Sequence, residues 1–100
     1  MIKHIVMWRL NASAYGKSKL ENAVELQQKL LAMKNKVPGI IHIEVGFDFS
    51  NEKDSCDVVL YSEFDSKEAL ANYQSHPDHE AIKKWLADVR SERRVVDYEI

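Results

Sequence analysis

The sequence predicts an α+β fold with a four-stranded antiparallel sheet, and three observations predict it. Stretches of strand-like alternation are interleaved with stretches of helical spacing along all 100 residues. Hydrophobic residues make up 45% of the chain, enough for a core, and charged residues at 30% suit a solvated surface. Only 3 Gly and 2 Pro are present, so the chain is not built from loops, and 1–100 has the length of one domain.

Ile2 to Leu10 alternate as a strand, with Ile2, His4, Val6, Trp8 and Leu10 on one face and Lys3, Ile5, Met7 and Arg9 on the other. Both faces are apolar at the centre, as in a central strand covered on two sides. Asn11 to Gly16 reads as a loop. Ser18 and Glu21 then form an S-x-x-E capping box that opens a helix. Leu20, Ala23, Val24, Leu30 and Leu31, with Leu26 and Met33 on a neighbouring stripe, recur at helical spacing. Pro38-Gly39 stops this helix after about four to five turns.

Ile41, Ile43, Val45, Phe47 and Phe49 alternate with polar partners over residues 40–49, the pattern of a half-buried strand. Ser50 to Ser55 is a polar turn. Cys56 to Phe64 follows as a strand whose centre, Val58 to Tyr61, is apolar on both sides. Asp65 and Glu68 repeat the capping-box spacing, so a short helix is expected from Ser66, with Ala69, Leu70 and Tyr73 inward. Pro77 opens a further helix at its first position, where the missing N–H costs nothing. Ile82, Trp85, Leu86 and Val89 form its buried stripe, and Val95, Val96, Tyr98 and Ile100 a final strand. The order β-α-β-β-α-α-β is the ferredoxin-like plan. Its helices cover one face of the sheet, yet two strands are apolar on both faces. A second copy of the chain is the expected cover, giving a homodimer with a barrel-like interior.

Several function classes are disfavoured. The net charge is −2 with the two signs interleaved, so no basic stripe for nucleic acid exists. Arg90, Arg93 and Arg94 have Glu92, Asp97 and Glu99 among them and read as a solvated strand entrance. Cys56 is the single cysteine, with no neighbour that would activate a thiolate. The apolar run Ile5 to Trp8 breaks at Arg9, and no stretch approaches the roughly 20 apolar residues of a membrane span. A cytoplasmic location is therefore expected. His76 and His79 flank Pro77 and Asp78, but Pro77 keeps the two imidazoles from converging, so no metal and no cofactor is expected.

Several segments together carry a family resemblance: Met1 to Val6, Val37-Pro38-Gly39-Ile40, Glu63-Phe64-Asp65-Ser66, Tyr73 to His79 with its H-P-x-H, and Val95-Val96-Asp97-Tyr98. The chain resembles the stress-responsive dimeric α/β-barrel domain family over nearly its whole length. The resemblance implies a ferredoxin-like subunit in a homodimeric barrel, and it leaves the activity unassigned. Within that architecture the chain is similar to polyketide cyclases of the olivetolic acid type, which close a linear polyketide thioester by intramolecular aldol condensation. Their catalytic Tyr and His match Tyr73 and His79, and their supporting His matches His4.

The residues themselves allow such chemistry. His79 lies three and seven residues before Ile82 and Leu86, so it faces inward. Burial and the helix N-terminus both favour its neutral form, the one that accepts a proton. A Tyr73 hydroxyl beside it could hold a carbonyl oxygen while the base removes an α-proton. His4 reaches the same space if its strand face lies under the helices. Val6, Trp8, Leu70, Ile82, Trp85 and Leu86 are the expected walls of a cavity there. The plainer reading stands beside this one: His76 caps a helix, and Tyr73 and His79 are satisfied core residues. The expected function is binding of a small apolar carbonyl or aromatic ligand. The alternatives are a cofactor-independent cyclase with His79 as base and Tyr73 as oxyanion donor, and a haem-handling or monooxygenase-like barrel.

Overall fold

A computed structural model describes residues 1–100. The elements run β1 (Ile2–Leu10), β2 (Ser13–Ala14), β3 (Lys17–Ser18), α1 (Lys19–Leu31), β4 (Ile40–Phe47), β5 (Val58–Phe64), α2 (Lys67–Ser75), α3 (Pro77–Val89) and β6 (Arg90–Glu99). A 3-10 turn at Ala32–Asn35 extends α1. The main sheet has the order β4-β5-β1-β6, every neighbouring pair antiparallel. This is the ferredoxin-like plan, with β1 flanked on both sides.

Alternation along β1 decides what faces what. Ile2, His4, Val6, Trp8 and Leu10 are buried beneath the helices, together with Val58, Leu60, Ser62 and Phe64 of β5. On the other face Ile5 lies between Tyr61 and Val96, and Met7 between Val59 and Arg94. Met7 is 39% exposed and Val96 49% exposed, so no part of one subunit covers this row. Lys3 anchors one end of it, donating to Glu63 and to the Tyr61 hydroxyl at 2.7 Å.

The capping box at Ser18 and Glu21 forms as the sequence predicts, each side chain bonding the other's backbone N–H. The buried face of α1 is Asn22, Ala23, Leu26 and Leu30, with Met33 beyond it, while Leu20 and Leu31 stand exposed. The buried face thus combines Ala23 and Leu30 of one stripe with Leu26 and Met33 of the other. Asn22 belongs to that face because its amide donates 3.1 Å to the Ala14 carbonyl. That carbonyl sits in the β2–β3 hairpin, where the sequence reads as a loop. Tyr15 and Gly16 turn it with φ of 54° and 71°, the two left-handed residues a tight hairpin needs.

Three further boundaries move. Ser66, not Asp65, caps α2, accepting from the Ala69 N–H at 3.1 Å, because its side chain is the one a helix starting at Lys67 can reach. A bulge in β4 skips Ile41, since Ile40 pairs with Phe64 and His42 with Glu63. Ile41 is thereby turned outward, and Phe49 beyond the strand end is almost fully exposed. Finally β6 begins directly at Arg90, where α3 ends.

Gly39 sets the approach of α2 to the sheet. Its φ is +92°, and a Cβ there would stand 2.6 Å from the Ala69 Cβ, one turn before Tyr73. Gly16 also has a positive φ, but open space surrounds it. Gly16→Ala should therefore cost only the backbone penalty of about 1–2 kcal/mol. Gly39→Ala adds a steric clash and should cost clearly more, measured by urea unfolding. Equal losses would show that the α2 contact gives way freely.

Candidate active site

The site grows from the break between α2 and α3. A residue before proline is pushed out of helical backbone, and His76 sits accordingly at φ −62° and ψ 137°. Its Nδ1 accepts the Asp78 N–H at 3.1 Å, so His76 is the side-chain cap of α3. Three residues on, His79 reaches back across the break and meets the Gln74 carbonyl at 3.1 Å through Nδ1. A carbonyl only accepts, so this bond assigns the proton to Nδ1 and leaves Nε2 with the lone pair. Burial pushes the His79 pKa below the usual histidine range, and the Gln74 bond only partly opposes it.

Tyr73, on the last full turn of α2, is completely buried. Its ring centre is 4.5 Å from that of His79, 5.2 Å from Phe64 and 6.2 Å from His4. Its hydroxyl has no hydrogen-bond partner. Burial raises its pKa far above the ordinary phenol value, so it stays protonated. It is a donor, not a base.

His4 lies on the helix side of β1 and is 2% exposed. Across the β1–β6 ladder it pairs with Asp97, whose carboxylate bonds its Nδ1. A carboxylate also accepts, so when neutral His4 too keeps Nδ1–H and a free lone pair on Nε2. Asp97 has no site role in the sequence reading because its relation to His4 depends on the register of strands 93 residues apart.

Between α3 and the sheet lies a cavity of about 300 Å³. His4, Val6, Trp8, His79, Ile82 and Leu86 stand in its wall, as their sequence positions predict. Leu70, Tyr73, His76 and Trp85 do not. Leu70 packs in the core, His76 is engaged as a cap, and the Trp85 ring lies under the Lys29 ammonium at 5.1 Å. Tyr73 sits behind the wall, against both histidines. The remaining wall comes from Leu30, Leu60 and Gln74 and from Lys83, Arg90 and Arg93. The two arginines were read as a solvated strand entrance. The register instead sets Arg93 opposite Trp8 and Arg90 opposite Leu10, on the helix side of the sheet.

Residues 2–100 match the Stress Responsive A/B Barrel Domain. The chain belongs to that family. A dimeric ferredoxin-like protein of unknown function from Bacteroides fragilis is 34% identical, with a TM-score of 0.85 over 99% of this chain and 95% of that one. A family protein from Mesorhizobium loti is 24% identical, with a TM-score of 0.73 over 99% and 95% of the two chains. A hydroxynitrile lyase from Passiflora edulis has a TM-score of 0.79 at 18% identity, covering 99% of this chain and 92% of its own. At that identity the likeness carries the fold alone. No curated protein matches the chain. No helix is long and apolar enough to cross a membrane.

Two outcomes follow for the site residues. The unfolded chain holds the His79 proton more readily than the folded one, so stability should fall as pH drops below about 6.5. NMR titration should put the His79 midpoint below that value, and His79→Gln should flatten the stability slope; a midpoint at or above it contradicts the burial argument. Tyr73→Phe removes a buried hydroxyl without a partner, so it should leave stability unchanged or raise it by about 1 kcal/mol. A clear loss in thermal unfolding would reveal a hidden partner for that oxygen.

Proposed function

We propose that the chain forms a homodimer whose subunits each bind a small apolar carbonyl or aromatic compound in the cavity between α3 and the sheet. The observation that carries the ligand reading is the wall itself. Val6, Trp8, Leu30, Leu60, Ile82 and Leu86 give it an apolar body, and His79 adds a polar point with a free ring nitrogen. The other half of the wall is polar; an apolar body on which polar groups converge is what small-molecule sites look like, and the volume is at the lower end of their roughly 300–1,000 Å³ range. The dimer reading rests on the uncovered row of Ile5, Met7, Val59, Tyr61 and Val96, and dimeric ferredoxin-like relatives support it.

A second reading makes the protein a cofactor-independent enzyme of the cyclase or lyase type. The neutral, Nδ1-protonated state of His79 favours it, because Nε2 is then a base facing a low-dielectric space. In that reading Nε2 removes a proton α to a carbonyl, and the electron pair moves onto the carbonyl oxygen. Tyr73, held protonated by burial, stands behind the wall and would donate to that oxygen only after its hydroxyl turned into the cavity.

Light scattering coupled to size exclusion should give twice the 11.6 kDa chain mass at low micromolar concentration. A mass of one chain throughout a dilution series overturns the dimer. Met7→Asp should dissociate it, because a lone carboxylate would enter an apolar interface. Aromatic ketones should raise the melting temperature and change the tryptophan fluorescence; a melting curve indifferent to them overturns the ligand reading. For the enzyme reading, His79→Ala should abolish turnover of a poly-β-keto thioester while ligand binding survives. Tyr73→Phe separates the two roles of the tyrosine. Slower turnover with binding kept assigns the hydroxyl to the oxyanion, whereas unchanged turnover assigns the ring to packing.

A further inference from the structure

The charged part of the cavity wall is entirely of one sign. Lys83, Arg90 and Arg93 stand in it, and no aspartate or glutamate does. Acids on neighbouring elements are committed elsewhere. Glu92 lies on the other face of β6, 3.6 Å from Arg9 and 3.0 Å from Arg94. Asp97 shares the helix-side row of β6 with Arg93 but bonds His4. On α3, Asp88 accepts from the Tyr15 hydroxyl at 2.5 Å, and Glu80 reaches only Lys83, at 3.5 Å. Arg90 and Arg93 are thus left without a carboxylate. Next to them the indole N–H of Trp8 is buried with no acceptor, and Trp8 is the cross-strand partner of Arg93.

Building on the ligand reading above, we infer that the bound compound is an anion, a carboxylate with an apolar body, whose charged end is held by Arg90 and Arg93. Guanidinium groups can donate to a neutral carbonyl, but they gain most from an acceptor that itself carries a full charge. Planar forks of N–H donors match the planar oxygens of a carboxylate and bind it through paired, charge-assisted hydrogen bonds. Phosphate fits less well. Arg90 follows the last residue of α3, so this end of the cavity lies at a helix C-terminus and lacks the free backbone N–H groups that phosphate sites use. Lys83, partly neutralised by Glu80, adds a third positive charge on the α3 side.

Octanoate and octanamide have the same chain and carbonyl and differ in charge, so the pair isolates the arginines. Isothermal titration calorimetry at pH 7.5 should give octanoate at least about a tenfold lower Kd, the yield of one good charge-assisted hydrogen bond. The double variant Arg90→Gln, Arg93→Gln should lose most of that preference, with Lys83 left as the only cation in the wall, and a melting temperature near that of the parent is the check on folding. Should that variant fail to fold, Arg93→Gln alone should reduce the preference several-fold, since Arg93 is exposed. Equal binding by the parent protein overturns the charge inference and leaves the apolar-ligand reading standing. Binding of neither compound overturns both. A preference left at its full parental size after loss of both arginines overturns their assignment.

Discussion

His76 ends one helix and begins the next, and its extended backbone is what brings the site together. Pro77 forces it out of helical geometry and offers no N–H of its own, so α2 cannot run on into α3. Two imidazole bonds then fasten the break from opposite sides. His76 accepts from the first turn of α3, and His79 donates back to the last turn of α2. Because both helices are fixed relative to this short joint, the Tyr73 and His79 rings meet at 4.5 Å, tilted by 55°, although they belong to different elements. The His79 tautomer, and with it the free Nε2, is a by-product of holding the joint closed.

The site has a steep chemical gradient. At one end His4 meets Tyr73 edge-on, Tyr73 tilts against His79, and Asp97 bonds His4. At the other end the wall carries only positive charge. The low dielectric of the interior favours the neutral form of His79 and the protonated form of Tyr73, and it would also strengthen any bond to an anion at the arginines. A ligand that spans the gradient meets neutral donors and acceptors along its body and charge at one end alone.

Much of this was legible in the sequence. The alternation of Ile2 to Leu10 put His4 on one face with Val6 and Trp8, without telling which face the helices cover; the Ser18/Glu21 box opened α1, and the spacing from Pro77 to Ile82 and Leu86 turned His79 inward. What escaped depends on pairing across the chain. Local alternation cannot reveal the bulge that skips Ile41, nor which apolar residues of α1 meet the sheet. Asp97, Arg90 and Arg93 look like ordinary strand charges until the β1–β6 register sets them beside His4, Leu10 and Trp8. Tyr73 shows the opposite limit. Its inward direction was predictable, but whether its hydroxyl opens into the cavity or lies behind the wall depends on a few ångströms of packing.

The position of β6 has a consequence for how the molecule comes together. Its ladder with β1 joins Ile2 to Glu99, almost the two ends of the chain. No other pairing in the sheet closes so long a loop, and the entropy lost on closure grows with loop length. The strand is also an edge, with one neighbour and no helix over Val95, which is 47% exposed. The arginine side of the cavity therefore rests on the contact that costs most to form and is among the least covered. Local opening there would admit a ligand from the flank while the joint at His76 stays shut.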